Sequence, residues 1–251
     1  MSALTVSCLI FALVLAGLFA GALLRRLLPE HHLSKESQDV VRLGAGLIAT
    51  MAALVLGLLI GAAKSSFDTQ SNQVKQITAD LILLDTVLAQ YGPEALPIRA
   101  AIRQSVNPFA DALWNEQRES AAAPFRANAA SEKLYVDIQG LTPTSALQRS
   151  LQTRAVQIAN DLAQNRLLLF VQRDSRIPVP FLAVLVSWLF IIFLSFSLFA
   201  DLNATVLTFL SFLALSASCA IFLILELSAP FTGLLMISSA PLRAALAPLG
   251  P

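Results

Sequence analysis

Residues 41–91 read VRLGAGLIATMAALVLGLLIGAAKSSFDTQSNQVKQITADLILLDTVLAQY, and this stretch decides the fold of the chain. Its first part, Val41 to Ala63, is almost wholly apolar and long enough to cross a bilayer. Lys64 then begins an amphipathic pattern that runs without Gly or Pro until Gly92-Pro93. The stretch therefore predicts one helix of roughly 75 Å, at about 1.5 Å per residue, that begins in a membrane and ends outside it.

A single heptad register fits the whole stretch. One seam position holds Gly46, Ala53, Ile60, Phe67, Val74, Leu81 and Leu88, and the other holds Ala49, Leu56, Ala63, Gln70, Ile77, Leu84 and Tyr91. Within the apolar part the register carries little information, because almost any register there is apolar. From Phe67 to Tyr91 the match is broken only by Gln70, which predicts that this part packs against another helix.

The composition places the chain among integral membrane proteins, since 56% of its residues are hydrophobic and 13% are charged. A net charge of +1 does not indicate the basic surface that nucleic-acid binding requires. The two cysteines, Cys8 and Cys219, lie in apolar runs, so we expect no disulfide framework. His31-His32 is more typical of a solvated loop than of a metal site. No catalytic or cofactor-binding motif is present, and we expect no enzyme activity, no cofactor and no metal.

Four apolar runs predict four spanning helices in two hairpins. Residues 1–63 form the first hairpin, and residues 178–251 form the second hairpin with an apolar tail. The predicted spans cover about residues 4–24, 41–63, 181–200 and 204–227. The fold class is therefore all-α, a polytopic membrane protein with four transmembrane helices.

Residues 64–177 are predicted to form a helical extramembrane domain. Its two long helices are the end of the 41–91 helix, which leaves the membrane, and residues 144–175, which return to it. An antiparallel coiled-coil stalk would bury the apolar rows of both helices. Basic residues near the span ends do not fix which side of the membrane this domain occupies. Arg25-Arg26 after the first span favour a domain outside the cytoplasm, whereas the total count weakly favours the cytoplasm.

The second span carries a stripe of small residues that has two interpretations. In the first, Gly46, Ala49 and Gly61 allow tight helix packing within the monomer. In the second, copies of the helix surround an axis and leave a narrow apolar pore. The candidate residues for lining or constricting that pore are Ala53, Gly57, Ile60, Lys64 and Phe67.

Glu226 is an acid at the end of the apolar run that forms the fourth span. Ionisable residues inside a membrane are costly and often functional, so Glu226 is a candidate functional acid. Its place just before Ser228 and Pro230 also suits an ordinary interfacial carboxylate, and the two interpretations stay open.

The C-terminal third contains four distinctive runs, namely WLFIIFLSF at residues 188–196, IFLILEL at 221–227, PFTG at 230–233 and SSAPLR at 238–243. These runs resemble the bestrophin-like family of bacterial membrane proteins. Chain length, four spans and the segment from Gly57 to Phe67 agree with this resemblance. The C-terminal runs are fairly specific, whereas the central domain matches mainly in being helical.

The resemblance implies a function. Bestrophins are pentameric anion channels in which the second spanning helix lines the pore and a helical domain lies in the cytosol. By this resemblance Val41 to Ala63 is the pore wall, the domain faces the cytoplasm, and the protein lies in a bacterial inner membrane. Its partners would be the bilayer, further copies of itself and small ions. An acidic calcium-binding cluster has no counterpart here, so calcium gating is not expected.

The sequence leaves two functional hypotheses. The first is a homo-oligomeric bestrophin-like channel, more consistent with anion than with cation conduction. The second is a non-conducting, membrane-anchored scaffold or interaction protein that acts through its coiled-coil-like domain. A secondary transporter is less favoured, because the spans show no broken helices or inverted repeats.

Overall fold

A computed structural model of the chain describes residues 2–29, 34–114, 132–172, 179–200 and 203–244. Within these ranges the regular elements are helical and no strand is present. In chain order they are α1 (Ala3–Leu27), α2 (Lys35–Tyr91), a 3-10 helix (Pro93–Ala95), α3 (Leu96–Trp114), α4 (132–139), α5 (Ala146–Gln172), α6 (Val179–Phe199), α7 (Ala204–Leu227) and α8 (Ala240–Ala244). The predicted all-α class is confirmed.

Among the described residues, four helices are long and apolar enough to cross a membrane, namely α1, α2, α6 and α7. This confirms the polytopic architecture with four transmembrane helices. Helix α2 is longer than the sequence indicated at its start, since it begins at Lys35 before the apolar run and contains 57 residues. Asn203 caps the start of α7 by accepting a hydrogen bond from the Val206 N–H at 2.9 Å.

The end of α2 follows from its sequence. Gly92 has a φ of 129°, a conformation that side-chain-bearing residues rarely adopt, and Pro93 follows it. The side chain of Gln148 donates a hydrogen bond to the Tyr91 carbonyl at 3.0 Å. This contact satisfies one of the carbonyls that every helix leaves unpaired in its last turn. The helix therefore ends where Gly92-Pro93 predicted.

Contacts divide the chain into two compact units. The membrane unit comprises Met1–Ser66 and Arg176–Ser228, and the second unit comprises Phe67–Ser175 and Ala229–Pro251. The sequence grouped the C-terminal tail with the second hairpin, whereas its contacts assign it to the second unit. The predicted boundary at residues 177–178 lies outside the described residues.

Two interactions hold the C-terminal segment in the second unit. The indole N–H of Trp114 donates to the Ile237 carbonyl at 2.7 Å, and the Trp114 ring meets Phe231 edge-on with centroids 5.3 Å apart. Leu242 of α8 is fully buried in the same core. A buried aromatic anchor thus explains why an apolar tail leaves the hairpin that precedes it.

The core of the second unit is formed by α3, α5 and the C-terminal part of α2. Asn165 donates to Asp80 at 3.2 Å, while Gln148 reaches Tyr91. Because the α5 number falls as the α2 number rises, the two long helices are antiparallel, as predicted. The seam residues of α2 in this unit from Gln70 onwards are buried: Gln70, Val74, Ile77, Leu81, Leu84, Leu88 and Tyr91.

The core of the membrane unit is centred on α1, which packs against both α6 and α7. Helix α2 contributes Ala52 to this core. The buried apolar residues from the other three helices are Ile10, Val14, Leu18, Leu185, Ile192, Phe193, Leu210, Ala214 and Ile221. The membrane part of α2 therefore has one face against the bundle, and Ala53, Gly57 and Gly61 are among its exposed residues.

Candidate functional site

The outer face of α2 carries three of the residues predicted to act in a pore or in helix packing. Ala53, Gly57 and Gly61 are exposed and together line a shallow groove with a volume of about 660 Å³. Leu54 and Leu58 are part of the same lining. The structure thus brings these three predicted residues onto one exposed strip of the protomer.

The other predicted residues of α2 lie elsewhere. Ile60 is half-buried and Lys64 is exposed, and neither lines this groove. Gly46 and Ala49 line a different pocket, nearer the N-terminus of the helix. Phe67 is half-buried and belongs to the second unit.

The glycines of α2 have open surroundings. Apart from the helix's own backbone, a Cβ added at Gly44, Gly46, Gly57 or Gly61 would have no atom within 4 Å. Burial of the whole segment agrees, because 11% of an apolar 18-residue window of α2 is buried, against 33% for α1 and 28% for each of α6 and α7. The membrane part of α2 therefore presents a smooth face that the protomer itself does not cover.

A second glycine pair, missed from the sequence, is closely packed. A Cβ on Gly17 of α1 would lie 3.0 Å from the Phe190 carbonyl oxygen. A Cβ on Gly21 would collide with the Leu194 carbonyl oxygen and lie 2.9 Å from the Cβ of Ser197. The signal was available, because Gly17 and Gly21 have the same four-residue spacing as Gly57 and Gly61.

Glu226 lies in the last turn of α7, which ends at Leu227. Its side chain is buried, with 5% of the residue exposed. Burial of a carboxyl group is costly unless it is paired or hydrogen-bonded, so this environment differs from that of a solvated interfacial acid. Glu226 therefore stays a candidate functional acid.

A family model described as the bestrophin-like domain matches residues 11–242. The chain belongs to the bestrophin-like family. The match begins within α1 and ends within α8, so it includes most of α1 and the whole of the other three membrane-spanning helices. The family resemblance inferred from the C-terminal runs is confirmed. No match was found among curated proteins or solved structures.

Two arginines stand out in the second unit of this bestrophin-like protein. Arg99 donates two hydrogen bonds to the Asp85 carboxylate, at 2.7 and 2.8 Å, and these bonds raise the pKa of Arg99. Arg166 is 4% exposed and its guanidinium carbon lies 4.5 Å from the centroid of the Phe109 ring. Burial lowers the pKa of Arg166 to about 10. Its Nε atom has no hydrogen-bond partner among the described residues.

The described residues of this bestrophin-like chain contain no group of three or more His, Cys, Asp or Glu side chains that could hold a metal ion. His31 and His32 lie outside the described residues.

A more enclosed pocket lies between α2, α6 and α7 within the membrane unit. We call it the interhelical pocket, and its volume is about 460 Å³. The lining includes Arg42, Ala45, Ala49, Phe196, Phe209 and Leu213. It differs from the groove at Ala53 in having a charged side chain in its wall.

Proposed function

We propose that this bestrophin-like protein is a homo-oligomeric ion channel whose pore is lined by α2, and that it conducts anions. The observation that carries the proposal is the uncovered face of α2. A spanning helix with four glycines that meet no neighbouring atom can approach copies of itself closely. Membership of the bestrophin-like family supports the same assignment.

In the proposed channel the five candidate pore residues of α2 have distinct roles. Ala53 and Gly57 form the pore wall, Ile60 forms an apolar constriction, and Phe67 forms a further ring beyond it. Lys64 lies at the mouth, where a ring of cationic side chains favours anions over cations.

The charges of α2 support its placement across the bilayer. Arg42 and Lys64 are 22 positions apart in the helix, about 33 Å at about 1.5 Å per residue. This separation is close to the hydrocarbon thickness of about 30 Å. Both side chains are exposed, and the segment between them is the apolar run. We propose that the protein lies in a bacterial inner membrane with its second unit in the cytoplasm. We also propose that it catalyses no reaction.

One observation favours the alternative of a membrane-anchored scaffold. The second unit exposes large apolar side chains, including Ile82 and Leu83 of α2 and Leu147 of α5. Such side chains could bind a partner protein. In that case the four spans would act only as an anchor.

The test is the conductance of the purified full-length protein in planar bilayers under an asymmetric KCl gradient. We expect discrete openings with a reversal potential near the chloride equilibrium value. Reversal near the potassium equilibrium value would retain a channel and reject anion selectivity. Silence in several lipid mixtures, from protein shown to be folded and oligomeric, would favour the scaffold.

Two substitutions assign the pore residues. Lys64→Glu should move the reversal potential towards that of potassium, because it reverses the charge at the proposed mouth. Lys133→Glu makes the same change at an exposed position of α4 and should leave the reversal potential unchanged. Ile60→Ala should raise the single-channel conductance by widening the constriction. If Lys64→Glu and Lys133→Glu have the same reversal potential, Lys64 does not lie in the ion path.

A further inference from the structure

The interhelical pocket combines an apolar interior with a charge at one end. Its walls come from residues 41–49 of α2, 195–200 of α6 and 206–213 of α7. Ser195 is among the lining residues, and its hydroxyl donates to the Ile191 carbonyl of its own helix at 2.8 Å. The interior therefore offers a ligand mainly apolar contacts.

The charged end is formed by Arg42, which is exposed. No hydrogen bond or ion pair joins the side chain of Arg42 to another residue in the described part of the chain. A second guanidinium lies at the same rim, because Arg25 donates to the carbonyl of Ala200, another lining residue. No carboxylate is among the lining residues, all of which are described.

The depth of the pocket fits the boundary of a bilayer. Arg42 lies at one end of the apolar run of α2, and Ala49 lies seven residues further in, about 10 Å at about 1.5 Å per residue. The α6 and α7 walls lie next to the connection between these two helices, so all three walls are at the same end of the unit. A ligand would therefore have its polar part at the interface and its apolar part among the helices.

The geometry points to an anionic phospholipid as the occupant of the interhelical pocket. Its phosphate would bind the Arg42 guanidinium, and one acyl chain would lie among Ala45, Ala49 and Leu213. Guanidinium groups bind phosphate oxygens through paired hydrogen bonds, and basic pockets between spanning helices are suited to lipid head groups. The volume of about 460 Å³ is within the range of about 300–1,000 Å³ typical of ligand pockets. The inference is independent of ion conduction.

A second copy of the chain fits this pocket less well. In a symmetric contact the same pocket of a second copy would face this one and cover Arg42, and because neither lining contains a carboxylate, the buried charge would have no partner. The groove at Ala53, Gly57 and Gly61 has no charged lining residue and is the more suitable surface for another helix.

Native mass spectrometry of the detergent-solubilised, full-length protein tests the proposal. Phosphatidylglycerol and phosphatidylcholine with identical acyl chains are titrated, and the bound lipid is counted per protomer. We expect phosphatidylglycerol to bind more tightly. Arg42→Gln should weaken its binding by about tenfold, because it removes a charge-assisted hydrogen bond. Arg26→Gln removes an exposed arginine at the end of α1 that does not line the pocket, and should leave binding unchanged.

A second variant tests the apolar part. A Cβ added at Gly46, which lines the pocket, would meet no neighbouring atom within 4 Å, so Gly46→Phe places a bulky ring at the pocket without a clash at its point of attachment. This variant should weaken the binding of both lipids and retain the helical circular dichroism spectrum.

Four results would overturn the proposal. The first is equal affinity of the unmodified protein for the two lipids, and the second is equal behaviour of Arg42→Gln and Arg26→Gln. The third is Arg42-dependent binding of glycerol phosphate as tight as that of the lipid, which would assign the site to a free phosphate ester. Loss of the oligomer in Gly46→Phe with unchanged lipid binding would likewise reject the lipid and assign the pocket to a contact between copies.

Discussion

Helices α1 and α2 each carry two glycines four residues apart, and the two pairs have opposite surroundings. On α1, a Cβ at Gly17 or Gly21 would meet the backbone of α6 at 3.0 Å or less. On α2, a Cβ at Gly57 or Gly61 would meet no neighbouring atom within 4 Å. The same spacing thus serves close packing inside the protomer in one helix and leaves a free surface in the other. Among the described residues of the protomer, the glycines of α2 have no packing contact that explains them.

The largest expected effect is a difference in folding between the two pairs. Gly21→Leu should prevent correct packing of the membrane unit, because its side chain would overlap the Leu194 carbonyl and Ser197, and overpacking costs about 1–3 kcal/mol or more. The yield of monodisperse protein in size-exclusion chromatography and the thermal unfolding midpoint measure this. Gly57→Leu is the matched control and should leave the fold of the protomer intact. Equal loss of folded protein in both variants would contradict the conclusion that Gly21 is closely packed and Gly57 is not.

A second test asks whether the open face of α2 meets another copy. In a background with Cys8 and Cys219 replaced by serine, Gly57→Cys should give a disulfide-linked dimer as the main species after oxidation in membranes. Ala52→Cys is the matched control, because Ala52 lies on the same helix and is buried in the membrane core. It should give only background cross-linking. Similar yields from both positions would mean that the open face is not the contact surface.

The architecture could be predicted from the sequence, but the different surroundings of the two glycine pairs could not. The four spans follow from apolar runs longer than about 18 residues, and the end of α2 follows from Gly92-Pro93. The burial of Val74 and Leu81 follows from the heptad spacing beyond the membrane. Helix packing in lipid has no such signal, because lipid tails and helix surfaces are equally apolar. Spacing therefore identified glycines that permit packing but could not show which pair is packed.

Two features of the second unit could also not be predicted from the sequence. The C-terminal segment is held by the Trp114 indole bound to a main-chain carbonyl, and main-chain acceptors leave no trace in sequence patterns. Arg166 is buried beside Phe109 although arginine is usually exposed. Both depend on distant parts of the chain coming together, which local periodicity does not report.

A smaller effect should come from the one side-chain hydrogen bond that accompanies the packed pair. The Ser197 hydroxyl is fully buried and donates to the Leu18 carbonyl of α1 at 2.6 Å. Ser197→Ala should lower the free energy of unfolding by about 0.6 kcal/mol, the average for hydrogen bonds between membrane helices. Ser187→Ala is the control, since Ser187 is exposed and bonds to its own helix, and it should have no measurable effect. A loss for Ser197→Ala no larger than that for Ser187→Ala would show that the Ser197 bond does not stabilise the contact between α1 and α6.

The smallest expected effect comes from alanine substitutions at two glycines of α2 that have no close neighbours. Gly44→Ala and Gly57→Ala each add one methyl group that meets no neighbouring atom, so neither should destabilise the protomer. Alanine is favoured over glycine within a helix by up to about 1 kcal/mol, so a slight rise in the unfolding midpoint is expected for both. Their effects on assembly should differ, because Gly57 lies in the groove with Ala53 and Gly61, whereas Gly44 does not line it. Gly57→Ala should therefore lower the oligomer fraction in light scattering at low protein concentration, and Gly44→Ala should not. An equal oligomer fraction in the two variants would mean that close approach at Gly57 is not what joins the copies, and the free surface of α2 would then have to be explained by lipid.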